Sequence, residues 1–202
     1  MENFEIIEHV PNKDGKGFLI AAIDFKGPKY VRVLVNEEPK AYTNISVDGN
    51  KVYYGNKEIG NVVERKDSSQ VKVSTGYDIK YTGGYSLDGR TVYLDEHFPK
   101  ILKVEGKEIS TEESIGLHHE LPEKWMSDLG YEYPHAHEIA TGIEKKYVES
   151  KGVTWKGYCT EVDKNLRVVY KNTLKKSPPS LDLAPYLYCR DREALKEIRE
   201  SK

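Results

Sequence analysis

Two hydrophobic periods divide the chain. Up to about residue 100, apolar residues recur at every second position in short runs. Tyr30-Val-Arg-Val-Leu-Val35 and Gln70-Val-Lys-Val-Ser74 both alternate and are rich in β-branched side chains, which suits a pleated, half-buried strand. Asp14-Gly15, Asp48-Gly49 and Asp88-Gly89 take positive φ readily, so each marks a tight turn. The run from Val47 to Val62 reads as small meandering strands. An antiparallel sheet is therefore expected in the N-terminal half.

After Pro99 the period lengthens. Ser110-Thr-Glu-Glu113 is a capping box, in which the Ser hydroxyl takes an orphan amide and Glu113 reaches back; the helix it opens should stop at Gly130. Pro134 suits the first turn of a second helix running to about Ser150, before Gly152. The short link Gly130-Tyr-Glu-Tyr133 predicts an antiparallel helical hairpin. Pro122 lies inside the first helix and should kink or restart it. Trp125, Leu129, Ile139, Ile143 and Tyr147 fall at helical spacing and read as core. Beyond Gly152, an aromatic segment to Tyr158 leads to an expected strand around Leu166-Arg-Val-Val-Tyr170. Ser177-Pro-Pro-Ser180 breaks the chain, and Asp191 to Glu200 reads as a charged amphipathic helix that packs on the domain or binds a partner. The fold class predicted is α+β: a β-rich region 1–82, an α+β region 83–176 with the helical hairpin, and a C-terminal tail 177–202 with a short helix.

Composition narrows the functions. A formal net charge of -2 gives no chain-wide case for nucleic acid. Residues 107–150 nevertheless hold ten acids against four lysines, so this stretch favours cations, while 164–181 holds five basic residues and no acid and reads as a solvated face. Cys159 and Cys189 match no zinc knuckle or redox pair. The N-terminus has no leader pattern and no apolar run is long enough to span a membrane, so a cytoplasmic protein is expected. No phosphate loop, nucleophile elbow or dinucleotide fingerprint occurs, which sets nucleotide-dependent catalysis aside. Oligomeric state is not legible.

The acidic stretch carries four of the six histidines, His118, His119, His135 and His137, among Glu120, Glu123, Glu138 and Glu144. Imidazole with carboxylate is the ligand mixture zinc prefers. On a helix His119 and Glu123 share a face, which gives the His-Glu-x-x-His metal helix with its second histidine replaced by glutamate. His137, one turn into the next helix, supplies a third ligand, and Glu120 is placed to accept a proton from an activated water. Glu144 is a further ligand or holds the second ring nitrogen of His137, the latter being favoured. His118 and His135 neighbour the ligands and are expected to be exposed or to stand behind them. His97 follows the strand and either reaches the site from a loop or, the favoured reading, is a surface or turn residue; Asp95 is similar, and Glu138 reads as solvated.

The run from Gly84 through Asp95, His119-Glu-x-x-Glu123, Tyr133-x-x-Ala-His137-x-x-Ala-x-x-x-Glu144 and Trp155-x-x-Tyr158 resembles an uncharacterised family found in phages and bacteria. Its members are similar to compact zincin-type metallopeptidases, and the resemblance covers about residues 84–158. It implies a zinc-dependent, or other divalent-metal-dependent, hydrolase acting on a peptide or protein substrate. The strand just upstream of the metal helix is in the order expected of a zincin, whose substrate lies along an edge strand. The competing readings are a non-catalytic phage or accessory protein, in which the cluster is a structural metal site or a hydrogen-bonded network, and, ranked last, a carboxylate-bridged two-metal site.

Overall fold

The computed structural model describes residues 1–11, 16–36 and 42–202; the Asp14-Gly15 turn lies outside them. The protein is α+β, and the chain separates into two compact units, Met1–Ser68 and Ser69–Lys202.

In the first unit, β1 (Glu2–Pro11), β2 (Phe18–Asp24), β3 (Lys29–Val35), β4 (Asn44–Asp48), β5 (Lys51–Tyr54) and β6 (Lys57–Asp67) close an antiparallel barrel in the order β1-β2-β3-β6-β5-β4. The alternation in β3 turns Val31, Val33 and Val35 inward, where they meet Phe4, Ile20, Ile45, Val47 and Val52. Closure needs bends. Ile7 in β1 and Val63 in β6 are each an extra residue with no opposite number, the bulges that add local twist. At Gly60 the strands approach so closely that a Cβ would lie 2.1 Å from the Leu34 carbonyl oxygen, so only glycine fits. Asp48-Gly49 makes the β4–β5 turn as expected, with Gly49 at φ 56°.

The second unit has a three-stranded sheet of β7 (Lys72–Tyr77), β8 (Gly83–Tyr85) and β9 (Thr91–Asp95). The strand after Asp88-Gly89 is therefore the middle of its sheet, parallel to β7 and antiparallel to β8, which form its two edges. A hairpin of β10 (Ile101–Val104) and β11 (Lys107–Ser110) leads into the helices. The Ser110 hydroxyl accepts from the Glu113 N–H at 3.3 Å, the first half of the capping box. The capped segment is a π-helix over Glu112–Glu120 that continues into α1 (Leu121–Asp128); α2 (Tyr133–Ser150) follows after a short link. Pro122 sits in the first turn of α1, where a missing N–H costs little, so the helix restarts there. Gly130 ends it at φ 88°, and α2 packs on both α1 and the π-helix. Trp125, Ile143 and Tyr147 are buried as expected, whereas Leu129 and Ile139 are only partly so.

The strand expected at Leu166–Tyr170 is not formed; these residues end α3 (Trp155–Val169), opened by the Thr154 hydroxyl accepting from Gly157 N–H at 3.1 Å. Tyr158, Val162, Leu166 and Val169 recur at helical spacing against one core, and that period overrides the β preference of Val168-Val169. The tail carries α4 (Ala184–Tyr188) and α5 (Arg192–Glu200). It packs on its own unit: Leu181, Tyr186, Leu195 and Ile198 form a core with Ile79 and Tyr93. Among the described residues, no helix is long and apolar enough to cross a membrane.

Candidate metal centre

The site is built where the helix is widest. In the π-helix each N–H reaches the fifth carbonyl back, as Leu121 N–H does to Gly116, a pattern that is rare and concentrated at functional positions. His118 and His119 both meet α2 but enter different surroundings. His118, expected to be exposed or behind the ligands, is fully buried: its ring stacks on Tyr147 at 3.8 Å and its Nδ1 lies 2.7 Å from the Glu113 carbonyl oxygen. His119 faces a cavity of about 320 Å³ instead.

At the cavity wall three ligand atoms converge. His137 Nδ1 lies 2.7 Å from Glu123 Oε2 and 3.2 Å from His119 Nε2, and His119 Nε2 lies 3.6 Å from Glu123 Oε2. Bond lengths of roughly 2.0–2.1 Å place the corners of a tetrahedral zinc site roughly 3.3 Å apart, so this spacing fits a divalent ion. These three residues form a group that could hold a metal ion. The burial is graded, with Glu123 buried, His119 partly so, and His137 nearly half exposed.

The groups behind the ligands fix their orientation. Glu144 Oε2 accepts from His119 Nδ1–H at 2.9 Å, which turns Nε2 toward the cluster. Glu144 thus holds His119 and not His137 as sequence favoured, because it stands too far along α2 from His137 to reach it. Tyr158 Oη lies 2.7 Å from the other Glu144 oxygen and 2.8 Å from Ser114 Oγ. Tyr85 donates to Glu123 Oε1 at 3.0 Å, leaving Oε2 for the histidines. Tyr85, Ser114 and Tyr158 were not singled out from sequence. Tyr85 and Tyr158 do lie within the runs that carry the family resemblance, and that was the available signal.

Glu120 is buried on the same cavity and makes no hydrogen bond among the described residues. It lies against β8, where a Cβ on Gly83 would stand 2.9 Å from Glu120 Oε1 and 3.0 Å from the Tyr93 carbonyl oxygen. Burial, and then the charge of Glu123, push the Glu120 carboxyl up to about 8. Burial alone would raise Glu123 too, but hydrogen bonds from His119 and His137 outweigh it and hold that carboxyl well below the usual range. For His119, burial disfavours the cation, yet the Glu144 charge and the bonds to Glu123 and Glu144 prevail and raise it well above the ordinary imidazole value. Two carboxyls three residues apart are thereby driven in opposite directions, the pattern that separates an acid–base group from a ligand.

His135 is exposed and meets Tyr131 edge-on at 5.1 Å. His97 is half exposed and stands with the buried Asp78 and Asp95 in a second group whose spacing would also admit a cation. Those carboxylates are already engaged. Asp95 accepts from Ile79 and His97 N–H groups at 2.8 Å each, and Asp78 accepts from Lys175 and Lys176 at 2.7 and 2.9 Å, which pins the tail. Comparisons with protein-family models, with curated proteins and with solved structures find no match to this chain.

Proposed function

We propose that this chain is a zinc-dependent hydrolase acting on peptide bonds, with His119, Glu123 and His137 as metal ligands and Glu120 as the proton-transfer group. The observation that carries this reading is the convergence of three ligand atoms on a cavity where a further carboxyl, Glu120, is buried and uncommitted. A divalent ion held by His119, Glu123 and His137 would lower the pKa of a water and polarise a carbonyl. Glu120 takes the proton released as the water oxygen bonds to the carbonyl carbon. It then delivers that proton to the amine as the C–N bond breaks. Glu144 keeps His119 in the tautomer that offers Nε2, and Tyr85 keeps Glu123 turned toward the histidines.

A specific observation favours one competing reading. His137 with Glu123, and His119 with Glu144, already satisfy one another at 2.7 and 2.9 Å, so the cluster also works as a network joining two helices in an accessory protein without catalysis. Metal analysis of the purified protein separates the two. One equivalent of zinc, lost in both His119→Ala and His137→Ala, supports the site; a folded protein that takes up no zinc or other divalent metal refutes it. Glu120→Gln should keep the metal while hydrolysis of a casein or peptide-library substrate disappears. Metal held by a wild type that cleaves nothing favours the structural module.

A further inference from the structure

The outer edge of β8 is only half free. Thr82 and Ser86 bond to the β9 side: the Thr82 carbonyl oxygen accepts from Asp95 N–H at 3.1 Å, and Ser86 N–H donates to the Thr91 carbonyl oxygen at 2.8 Å. Antiparallel pairing alternates, so Gly83 and Tyr85 turn their N–H and C=O away from β9. The tail takes up the second of these positions. The Tyr85 carbonyl oxygen accepts from Asp182 N–H and Leu87 N–H donates to the Ser180 carbonyl oxygen, both at 2.9 Å, about an antiparallel bridge of Ser86 with Leu181. The tail gives Gly83 no such bond, because it turns into α4 just after Asp182. Gly83 therefore presents a backbone donor and acceptor at the cavity, beside Glu120.

The tail is a fixed wall here and not a strand that a ligand could displace. Leu181, Tyr186 and Ile198 are buried in its core, and Asp78 holds the Lys175 and Lys176 N–H groups. Tyr188 of α4 also reaches across to Tyr133 of α2, with ring centroids 5.4 Å apart. A peptide paired with Gly83 has room for at most one more residue, opposite Gly84, before it meets Asp182 opposite Tyr85. Charge decides which end of the peptide stops there. The lining carries Glu120, Glu123, Glu144 and Asp182 and no lysine or arginine. Lys124 stands 3.3 Å from Asp182 but is shared with Asp128 at 2.9 Å, and a divalent ion would set two positive charges against Glu123, Glu144 and Asp182. An ammonium end is thus favoured over a carboxylate end. It is the amino end that meets Asp182 when the peptide runs antiparallel to β8, the direction the tail itself takes.

We propose that the site acts on chain ends: it takes a peptide by its free amino terminus and releases one or two residues, with Gly83 holding the peptide backbone and Asp182 the ammonium. Each cycle consumes one water, whose OH goes to the carboxyl of the released piece and whose hydrogen goes to the new amine of the shortened peptide. This chemistry rests on the peptidase reading; recognition of the amino end does not. A tryptic digest of casein, with free amino ends or with its amines acetylated, tests it on the zinc-loaded protein, with mass spectrometry as the readout. The free digest should lose one or two residues from its amino ends, and the acetylated digest should react about tenfold more slowly or less. Asp182→Asn should raise KM about tenfold through loss of a charge-assisted contact, with kcat and zinc affinity unchanged. The fold should survive, since the amide oxygen can still accept from Ala184 N–H, which donates to Asp182 at 3.0 Å. Calorimetric titration of phenylalaninamide and N-acetylphenylalaninamide into the protein as purified reads binding separately. The free amine should bind about tenfold more tightly, and the difference should vanish in Asp182→Asn. Cuts at internal bonds or carboxyl ends, equal rates on the two digests, wild-type KM in Asp182→Asn, equal binding of the two amides or binding of neither overturns the proposal. A protein that shortens no peptide yet prefers the free amine through Asp182 refutes the peptidase reading and leaves the chain-end site standing.

Discussion

Replacement of Glu144 tests whether the site is a metal centre with supporting groups or a helix-joining network. Glu144 is 7 % exposed and accepts two hydrogen bonds, from His119 Nδ1–H at 2.9 Å and from Tyr158 at 2.7 Å. In Glu144→Gln the amide oxygen can keep the His119 bond while its NH2 turns to Tyr158. Tyr158 can then accept, because its own proton has an alternative acceptor in Ser114 Oγ at 2.8 Å. Hydrogen bonding survives and only the charge behind the imidazole is lost. Zinc affinity should therefore fall about tenfold, or about 1.4 kcal/mol, with the fold intact. Glu144→Ala removes the acceptor altogether; Tyr158 turns its proton to Ser114 Oγ, and His119 Nδ1–H is left without a partner. Affinity should fall about 100-fold, and the metal-free protein should lose about 1–3 kcal/mol of stability for that orphaned group. Tyr158→Phe alone leaves Glu144 ionised on His119 and should cost zinc affinity little. Combined with Glu144→Gln it strands the amide NH2, so the double variant should be worse than the two single losses added. Chelator competition gives the affinities and urea denaturation of the metal-free forms gives the stabilities. Wild-type zinc affinity in both Glu144→Gln and Glu144→Ala would refute the role of Glu144 as the orienting partner of His119.

The same geometry sets four further outcomes. Gly83→Ala forces Glu120 Oε1 or the β8 backbone to move, since the new Cβ would lie 2.9 Å from that oxygen; hydrolysis should fall by up to about 100-fold with zinc affinity unchanged, and wild-type turnover would disprove the placement of Glu120. Because His119 is raised well above the ordinary value, it is protonated before metal binds, so zinc uptake should release a proton and weaken as pH falls; titration in two buffers of different ionisation heat counts that proton. Ile198→Ala empties a fully buried position in the tail core and should cost about 2–5 kcal/mol, read by urea denaturation. For Glu197, burial would raise the carboxyl, but the Leu174 N–H and Lys80 hold it below the usual 4.5. Its stabilisation is therefore complete above that value and is lost as pH falls through the lower folded value, so protease cutting after Leu174 should begin only under acid conditions below 4.5.

Local pattern carried the strands and hairpins because alternation and Asp-Gly turns are properties of neighbouring residues. Barrel closure was not legible, since it depends on which strands meet at the bulges of Ile7 and Val63 and on the close contact of Gly60 with Leu34, all matters of distant pairing. At Leu166–Tyr170 the local signal misled: two adjacent valines favour a strand, and only the packing of Leu166 and Val169 on the core fixes the helix. The ligand set was readable from types and spacing, because His119 and Glu123 remain neighbours across the junction between π-helix and α1. Tyr85 and Tyr158 were not, for a tyrosine in an ordinary tyrosine-rich chain carries no mark of where its hydroxyl ends.

The reassignment of Glu144 shows how helix geometry decides a partner. His137 and Glu144 are seven residues apart on α2, so they share a face but stand about 10.5 Å apart along the axis. Two side chains on one face at that separation cannot hydrogen-bond to each other directly; each must reach the element packed opposite. His137 meets Glu123 and His119, and Glu144, two turns on, meets the far nitrogen of His119. A single imidazole is thus gripped by two turns of α2. The neighbouring His118 stacks on Tyr147 and anchors the segment to α2 a third time. Three separate contacts from α2 hold the nine residues of i→i−5 bonding. On this argument, removing the His118–Tyr147 stack by Tyr147→Ala should relax the segment toward α-helix and weaken zinc binding without touching a ligand.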